Sequence, residues 1–223
     1  MRVSTIYPIS TNSIIENPFT IVFFGKTGVG KSTTINQLFG FNWDTDNAVA
    51  CTKEPQVAIL NQLQYSDLCC FQVQVVDMPG IGESIEADEF YMPYYQYWLP
   101  KAHSLVWITQ ADTRAYKRDQ IFLNKLIPLF HSSLLFTVAL NKIDQLGVDE
   151  GERSFNIDLN EPSQAQFRLL PEKIDDVYKI FNDIISGIFP FSKTQIVPYT
   201  AVYKWGLENF KSSILSTAYS NAR

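Results

Sequence analysis

The sequence predicts a three-layer α/β fold, in which helices cover both faces of a mostly parallel six-stranded sheet with one antiparallel edge strand. Apolar runs typical of buried strands alternate with segments of helical spacing over most of the 223 residues. This is the pattern of parallel strands joined by right-handed crossovers. Two neighbouring strand patterns are separated only by a short polar turn at 65–67, and they predict the antiparallel pair. The composition, 46% hydrophobic and 18% charged, is sufficient for a sizeable core and argues against disorder.

The predicted elements follow an arm at 1–18. The strand 21–24 is wholly apolar, and the helix 32–39 after it ends at Gly40, a residue that favours the left-handed conformation of a helix end. The segment 41–54 has no periodicity and is interpreted as a mobile loop. Further strands are predicted at 56–60, 69–76, 105–108, 134–140 and 195–197, and further helices at 119–130, 171–189 and 205–217. A single domain over 19–223 accommodates all of them.

Two segments have more than one interpretation. The stretch 145–171 is polar and aperiodic, which favours a solvated surface insertion and leaves a partner-binding loop as the alternative. The aromatic stretch 90–98 is interpreted as core packing of a helix, or else as a partner or dimer surface, since aromatic residues are common at the centres of interfaces.

The loop between the first strand and the first helix fits G-x-x-x-x-G-K-[ST], which cradles the phosphates of a nucleoside triphosphate. Its glycines let backbone N–H groups turn inward, and the helix N-terminus adds the positive end of its dipole. Lys31 is expected to reach the β- and γ-phosphates, and the Ser32 hydroxyl to ligate Mg²⁺. The residues expected to contact the nucleotide here are Gly25, Lys26, Thr27, Gly28, Val29, Gly30, Lys31, Ser32 and Thr33.

A second motif, Asp-Met-Pro-Gly, follows the strand that ends at 76. An aspartate at such a strand end can hold the Mg²⁺ shell, so Asp77 is the expected metal residue. The N–H of Gly80 can face the γ-phosphate.

The sequence Asn-Lys-Ile-Asp at the end of the strand 134–140 indicates which base is bound. The Asp144 carboxylate can accept hydrogen bonds from the N1–H and the exocyclic amine of guanine, whereas adenine presents no matching pair of donors. Lys142 is expected to lie along the base, and Asn141 to tie the motif to the glycine loop. Beyond the last strand, Thr200 and Ala201 are candidates to offer a backbone N–H to the guanine carbonyl oxygen.

Together these motifs resemble the P-loop GTPases of the translation-factor class, over about residues 19 to 217. Within that class the chain looks like the Era-like, or 50S ribosome-binding, GTPases. The phrases at 77–82 and 110–115 are similar to a prophage-associated bacterial subgroup, and the loop is also similar to septins and immunity-associated GTPases. The resemblance implies that Thr52 is the switch threonine that ligates Mg²⁺ beside Ser32 and Asp77, with Thr45 as its rival. It also implies that Lys31, Thr52 and Gly80 act in the hydrolysis of GTP to GDP and phosphate.

One position departs from the family pattern. Many relatives carry a glutamine after the glycine of the second motif, and Ile81 stands there instead. Because isoleucine cannot orient water by hydrogen bonding, slow hydrolysis is expected. Glu83 and Glu86 are candidates to position the water, although solvated charges are the favoured interpretation of both.

Other candidate residues have ordinary interpretations. An arginine finger at Arg114 is a less favoured alternative to an ion pair with Asp112 or Asp119. Gly28 stands where some Era-like relatives use an asparagine to hold K⁺, so K⁺ activation is not expected. His103 and His131 are expected to be structural.

Net charge, cysteine content and the length of the apolar runs limit the functions that the chain could have. A net charge of −5 and a pI near 5.0 disfavour nucleic-acid binding, so a ribosome- or RNA-linked role ranks below a GTP switch. Three cysteines without zinc or redox spacing favour a reducing compartment, and no run is long enough to span a membrane, so the cytoplasm is expected. The leading interpretation is a slow GTPase switch. The alternative is a nucleotide-gated assembly protein with little hydrolysis, for example one that forms a GTP-dependent homodimer.

Overall fold

The computed structural model describes residues 18–45, 52–64, 70–147 and 154–221. The predicted arm, apart from Pro18, and the turn at 65–67 lie outside the described residues. The predicted loop at 41–54 and the segment 145–171 are described only in part.

Within these residues, six strands form one sheet in the order β2-β3-β1-β4-β5-β6. β2 lies at one edge and pairs antiparallel with β3, and the other strand pairings of the sheet are parallel. The predicted fold class is therefore confirmed. The strands are β1 (Phe19–Gly25), β2 (Gln56–Gln64), β3 (Cys70–Asp77), β4 (Ser104–Gln110), β5 (Leu135–Asn141) and β6 (Ile196–Pro198).

Helices cover both faces of this sheet. Those described are α1 (Lys31–Phe39), α2 (Ile85–Trp98), α3 (Lys117–Leu126), α4 (Gln164–Ile185) and α5 (Leu207–Asn221). The described helices are too short or too polar to cross a membrane.

Several helix boundaries differ from those predicted, by up to seven residues. α4 begins seven residues before the predicted start at Pro171, because Ser163 and Gln166 form a reciprocal capping box at its first turn. Pro171 lies inside this helix and not in its first turn, where proline is favoured. α3 ends at Leu126, and the chain then tightens into a 3₁₀ turn that contains Pro128.

The core explains why β1 is apolar at successive positions. Ile21 and Phe23 pack on the side of α1 and α5, whereas Val22 and Phe24 pack on the side of α2, α3 and α4. A strand buried on both faces needs apolar side chains on both, as expected at the centre of a parallel sheet.

The parallel arrangement brings the predicted motifs to one edge of the sheet. The carboxyl ends of β1, β3, β4, β5 and β6 meet there, and ligands of open α/β sheets bind outside these ends. The edge carries Gly25, Asp77, Gln110, Asn141 and Pro198.

The described part of the segment after β5 is mostly turn and helix. A short turn is closed by a bridge between Asn156 and Glu161, and it carries the exposed apolar side chains of Ile157 and Leu159. The capped start of α4 follows, so the last part of this segment is helical and not aperiodic.

Candidate nucleotide-binding site

The glycine loop is shaped by close contacts that exclude side chains. A Cβ atom on Gly25 would lie 2.2 Å from the carbonyl oxygen of Ile108 in β4. A Cβ on Gly30 would lie 2.7 Å from Nδ2 of Asn141, and Gly30 also has a φ of 92°. Only glycine fits these positions, so the loop lies tightly between the ends of β4 and β5.

Lys31 lies inside the loop. Its side chain is buried, and Nζ donates hydrogen bonds to the carbonyl oxygens of Gly25 (3.3 Å) and Lys26 (3.0 Å). Burial lowers the pKa of Lys31, although Asp77 and Glu83 act in the opposite direction. An anion bound in this loop would favour the charged form of the lysine.

Three oxygen-bearing side chains meet beside Lys31. The Ser32 hydroxyl donates to Oδ2 of Asp77 at 2.6 Å, and Ser32 Oγ lies 3.4 Å from Thr52 Oγ1. Oδ1 of Asp77 is buried without a hydrogen-bond partner among the described residues. This set of hydroxyl and carboxylate oxygens fits Mg²⁺, which prefers oxygen ligands and is bound through one or two carboxylates. The structure thus brings together the three predicted metal residues, while the rival Thr45 lies half-buried in the loop after α1.

The surroundings of Asp77 change how readily its carboxyl group ionises. Burial raises the pKa of Asp77 to about 6, and the nearby Lys31 and the hydroxyls of Ser32 and Thr52 only partly offset it. A bound cation would pair with the unpartnered Oδ1 and would favour the ionised form of Asp77.

Gly80 and Ile81 connect the second motif directly to the glycine loop. A Cβ on Gly80 would lie 2.2 Å from Thr27 Oγ1 and 2.8 Å from Thr27 Cα. The N–H of Ile81 donates to the Gly25 carbonyl oxygen (3.2 Å), and the N–H of Thr27 donates to the Ile81 carbonyl oxygen (3.0 Å). The Ile81 side chain is buried in the core between the sheet and α2. The structure therefore adds a second reason why Ile81 does not orient water, because its side chain is packed in that core.

The two candidate glutamates have different surroundings. Glu83 is exposed and accepts a hydrogen bond from Thr27 Oγ1 at 2.6 Å, so it contacts the glycine loop. Glu86 lies in the first turn of α2, where hydrogen bonds from its own backbone N–H and the Ser84 hydroxyl lower its pKa. Glu86 thus belongs to the helix start, and Glu83 is the carboxylate joined to the loop.

The start of α3 is tied to both motifs. Lys26 forms an ion pair with the buried Asp119, and its Nζ donates to the carbonyl oxygen of Ala115 at 2.5 Å. Arg118 donates to the carbonyl oxygen of Gly82 at 2.6 Å. Asp119 is therefore paired with Lys26 in place of Arg114, and Arg118 is the arginine that contacts the second motif.

The part of the site around the Asn-Lys-Ile-Asp motif, where the base is expected to bind, is called the base end. Here Asn141 and Lys142 join the motif to the glycine loop by hydrogen bonds. Asn141 Nδ2 donates to the carbonyl oxygen of Val29 at 2.9 Å. Lys142 adopts a left-handed backbone with a φ of 61°, and its Nζ donates to the carbonyl oxygen of Gly28 at 3.2 Å. Gln110 donates to the same Gly28 oxygen at 3.0 Å, a contact that no sequence motif indicated.

Asp144 has an unused acceptor at this end. Its Oδ1 is buried and has no hydrogen-bond partner among the described residues. An unpaired buried acceptor is costly, and a ligand with two N–H donors, such as guanine, would satisfy it.

The predicted backbone donors at the base end are already in use. The N–H of Ala201 donates to Oδ1 of Asn141 at 3.1 Å, and the N–H of Thr200 donates to the carbonyl oxygen of Trp205 at 3.0 Å. Each N–H is a single donor, so a guanine carbonyl oxygen would have to share the Ala201 N–H with Asn141 or displace it. Oγ1 of Thr200 is buried without a partner among the described residues.

Gln166 is a residue that the sequence analysis missed. Its side-chain amide lies 3.1 Å from each of three backbone carbonyl oxygens, those of Ile143, Asp144 and Leu146. The pattern S-x-x-Q at 163–166 was a usable signal for the helix start, although not for the contact with the Asn-Lys-Ile-Asp motif.

The aromatic stretch divides between core and surface. Tyr91 and Tyr95 are buried, and the Tyr95 hydroxyl donates to the carbonyl oxygen of Pro79 at 2.7 Å. Phe90 and Tyr97 are 67% and 56% exposed. Core packing therefore accounts for one face of α2, and the exposed face remains available to a partner.

The two histidines lie at the other end of the sheet. His103 Nδ1 accepts the N–H of Thr20 at 3.0 Å, and His131 Nε2 lies 2.9 Å from the carbonyl oxygen of Ala102. Both contacts support the structural role that was expected.

Several known proteins are similar to this chain in sequence. It is 35% identical over 130 residues to "Uncharacterized protein YkfA" of Escherichia coli, an alignment that covers 57% of this chain and 43% of that protein. It is 24% identical over 205 residues to "Cell division control protein 10" of Saccharomyces cerevisiae, covering 78% of this chain and 62% of the yeast protein. The chain thus spans less than half the length of the E. coli relative.

Two solved structures of Era share the fold, each with a TM-score of 0.62 and 23% identity. Era from Aquifex aeolicus was solved bound to GDP.AlF4⁻, and the match covers 89% of this chain and 56% of that one. A second Era structure is a complex with MgGDPNP and part of 16S ribosomal RNA, and the match covers 90% and 57%.

A family model matches residues 20–142, which is more than half of the chain and includes the glycine loop, Asp77, Gly80 and Asn141. The chain belongs to the 50S ribosome-binding GTPase family.

Proposed function

We propose that this protein binds GTP and GDP with Mg²⁺, hydrolyses GTP slowly to GDP and phosphate, and acts as a molecular switch. The observation that carries the proposal is the meeting of Ser32, Thr52 and Asp77 beside the glycine loop, with the unpaired Asp144 oxygen at the other end. One end suits a metal-bound triphosphate and the other suits guanine.

Phosphate binding depends on the loop and Lys31. The Lys31 ammonium hydrogen-bonds only to backbone carbonyl oxygens in the described contacts, and phosphate oxygens are better acceptors for a cation. The backbone N–H groups of residues 28 to 33 would complete the anion site at the start of α1.

Mg²⁺ would be held by Ser32 and Thr52, with Asp77 acting directly or through water. The bound ion would neutralise charge on the β- and γ-phosphates. The matching Era complex contains MgGDPNP, which supports the same ion here. Removal of the ion would leave Asp77 facing the phosphates, so the triphosphate should bind weakly in EDTA.

Slow hydrolysis is expected because the described residues near the expected γ-phosphate position include no side chain fixed to orient a water molecule. The Ile81 side chain is buried in the core, and only its backbone reaches the glycine loop. Glu83 is the nearest carboxylate joined to the loop, but it is exposed and bonded to Thr27. Without a fixed group to orient the water, the chain would lose much of the rate that such a residue provides.

The switch would operate through the two segments that lie beside the glycine loop, the one around Thr52 and the one around Gly80. Thr52 precedes β2, and Gly80 packs on Thr27, so a bound γ-phosphate would pull on both segments at once. Loss of that phosphate would remove the ligand that the two segments share and would change the surface around α2.

The test is a titration of GTP and ATP in Mg²⁺ and in EDTA, followed by single-turnover hydrolysis. We expect tight binding of GTP over ATP that depends on Mg²⁺, and slow release of phosphate. Equal affinity for GTP and ATP would refute the assignment of the base.

A second function is favoured by the exposed Phe90 and Tyr97, namely nucleotide-gated assembly with little hydrolysis. Light scattering with GDP and with a non-hydrolysable GTP analogue separates the two. A larger mass with the analogue would support assembly, and an unchanged mass would count against it. A rise of specific activity with protein concentration would indicate self-activation.

A further inference from the structure

Gln166 links α4 to the Asn-Lys-Ile-Asp motif. The residue is fully buried, and its Nε2 lies 3.1 Å from the carbonyl oxygens of Ile143, Asp144 and Leu146. A side-chain amide has two N–H donors, so these are shared among three acceptors. One side chain thus satisfies the buried carbonyl groups on one side of the motif.

The orientation of this amide is fixed from its other end. Its Oε1 accepts the N–H of Ser163 at 3.1 Å, while the Ser163 hydroxyl accepts the N–H of Gln166 at 3.2 Å. Because the oxygen is held at the helix start, the NH₂ group must face the motif. The capping box therefore also aims the amide.

Other contacts hold the motif at its beginning. Asn141 joins it to the glycine loop and to Ala201, and the N–H of Ile143 donates to the carbonyl oxygen of Tyr199 at 3.3 Å. At Asp144, the backbone carbonyl is held by Gln166, and Oδ1 of the side chain has no partner among the described residues. The turn itself is closed by the N–H groups of Gln145 and Leu146, which donate to the carbonyl oxygens of Lys142 and Ile143. The direction of the Asp144 carboxylate thus depends on a turn that Gln166 holds against α4.

We infer that Gln166 is a positioning residue for guanine recognition, acting through the backbone of residues 143–146. This inference rests on the proposed binding of GTP. Without the amide, the carbonyl oxygens of Asp144 and Leu146 lose this donor, and that of Ile143 keeps only the N–H of Leu146, so the motif must turn toward water to satisfy them. That movement would carry the Asp144 carboxylate away from the N1–H and the exocyclic amine of guanine.

The experiment compares GTP, ITP and ATP by competition binding in wild-type protein, Gln166→Met and Ser163→Ala. ITP lacks only the exocyclic amine, so the preference for GTP over ITP reports on that one contact with Asp144. We expect Gln166→Met to lower this preference by about tenfold, the effect of losing one well-placed hydrogen bond to a charged group. Ser163→Ala is the matched control, since it removes the hydroxyl that accepts the Gln166 N–H but keeps the backbone N–H of residue 163 that holds Oε1, and it should retain the preference.

The ratio distinguishes positioning from a general loss of stability. An effect on folding alone would weaken the binding of all three nucleotides and leave the GTP/ITP ratio unchanged, which would overturn the inference. Gln166→Glu provides a second variant, because it keeps the oxygen that caps Ser163 and removes the donating amide. In an Asp144→Asn background, Gln166→Met should change the ratio no further.

Failure of the proposed function has a different signature. If the wild-type protein shows no preference for GTP over ATP or ITP, the guanine assignment itself fails. If the wild type prefers GTP and both Gln166 variants keep that preference, only the role of Gln166 is refuted.

Discussion

The phosphate end and the base end of the site each contain a buried carboxylate oxygen without a partner among the described residues, Oδ1 of Asp77 and Oδ1 of Asp144, but the groups around the two carboxylates differ. Lys31 donates to two loop carbonyls, and Ser32 donates to Asp77. At the base end, Asn141 and Gln166 hold the backbone in place, and Oδ1 of Asp144 is left unpaired among the described residues.

The difference indicates how each end contributes to binding. A triphosphate with Mg²⁺ must replace existing hydrogen bonds at the phosphate end, so that end should respond to metal, pH and the state of the γ-phosphate. At the base end, the N1–H and the exocyclic amine of guanine would meet a preformed acceptor in Asp144, and only the guanine carbonyl oxygen would compete with an existing bond, that of the Ala201 N–H to Asn141. We therefore expect the phosphate end to supply the switch and most of the affinity, and the base end to supply selectivity.

The largest expected effect is at Lys31. Lys31→Ala removes the cation inside the loop, and we expect the affinity for GTP to fall by at least about a hundredfold, as the loss of a buried charge-assisted contact would produce. The affinity for ATP should fall by a similar factor, because we expect Lys31 to contact the phosphates, which GTP and ATP share. Titration with a fluorescent nucleotide measures both, and Lys125→Ala, an exposed lysine on α3, is the control.

The next largest effect on nucleotide affinity is expected for Asp144→Asn. The amide offers one acceptor and an unwanted donor in place of a carboxylate, so the affinity for GTP should fall about ten- to hundredfold while ATP binding stays the same. Asp158→Asn, in the exposed turn before α4, keeps the same change of charge away from the site. If ATP binding fell as much as GTP binding, the separation of the two ends would be wrong.

The pH dependence should come from the phosphate end. Because the pKa of Asp77 is raised to about 6, the carboxylate becomes protonated as the pH falls below that value. Mg²⁺ needs the ionised form, so Mg²⁺-dependent GTP binding should weaken by up to about tenfold per pH unit below 6. A raised pKa also means that the ionised form costs folding stability. In the absence of ligand, the Asp77 contribution to stability should therefore improve as the pH falls from about 6 toward 3.8.

Binding curves at pH 5, 6 and 7 measure this dependence, with Asp77→Asn as the comparison. The variant should bind Mg²⁺-GTP weakly at every pH and show a flatter profile. A wild-type profile equally flat over this range would contradict the assignment of Asp77.

The smallest effect should be at Glu83. Its bond with Thr27 is exposed, and such bonds contribute little, so Glu83→Gln should change single-turnover hydrolysis by less than about tenfold and leave GTP affinity unaltered. Glu86→Gln, at the start of α2, is the matched control and should have no effect. A loss of hydrolysis well beyond tenfold in Glu83→Gln alone would make Glu83 the residue that orients the water.

Much of this arrangement could be predicted from the sequence, because it depends on local patterns. The glycine loop, the apolar strands and the motif at 141–144 each contain their own signal, and the parallel sheet then brings the strand ends together. The capped start of α4 was not predicted, because its first residues lie in the stretch 145–171, whose polar, aperiodic sequence indicated a surface insertion.

The long-range contacts could not be predicted in this way. Gln166 lies 22 residues after Asp144 in the sequence. Nothing in that spacing indicates that the Gln166 amide faces three backbone carbonyl groups. The same holds for the ion pair of Lys26 with Asp119, which joins the glycine loop to α3. These contacts arise from packing of whole elements, and no local periodicity encodes them.

The most direct test is the ratio of GTP to ATP affinity, measured by competition in Mg²⁺ for the wild type, Lys31→Ala and Asp144→Asn. The account predicts that Lys31→Ala weakens both nucleotides and keeps the ratio, whereas Asp144→Asn lowers the ratio by weakening GTP alone. An unchanged ratio in Asp144→Asn would contradict it.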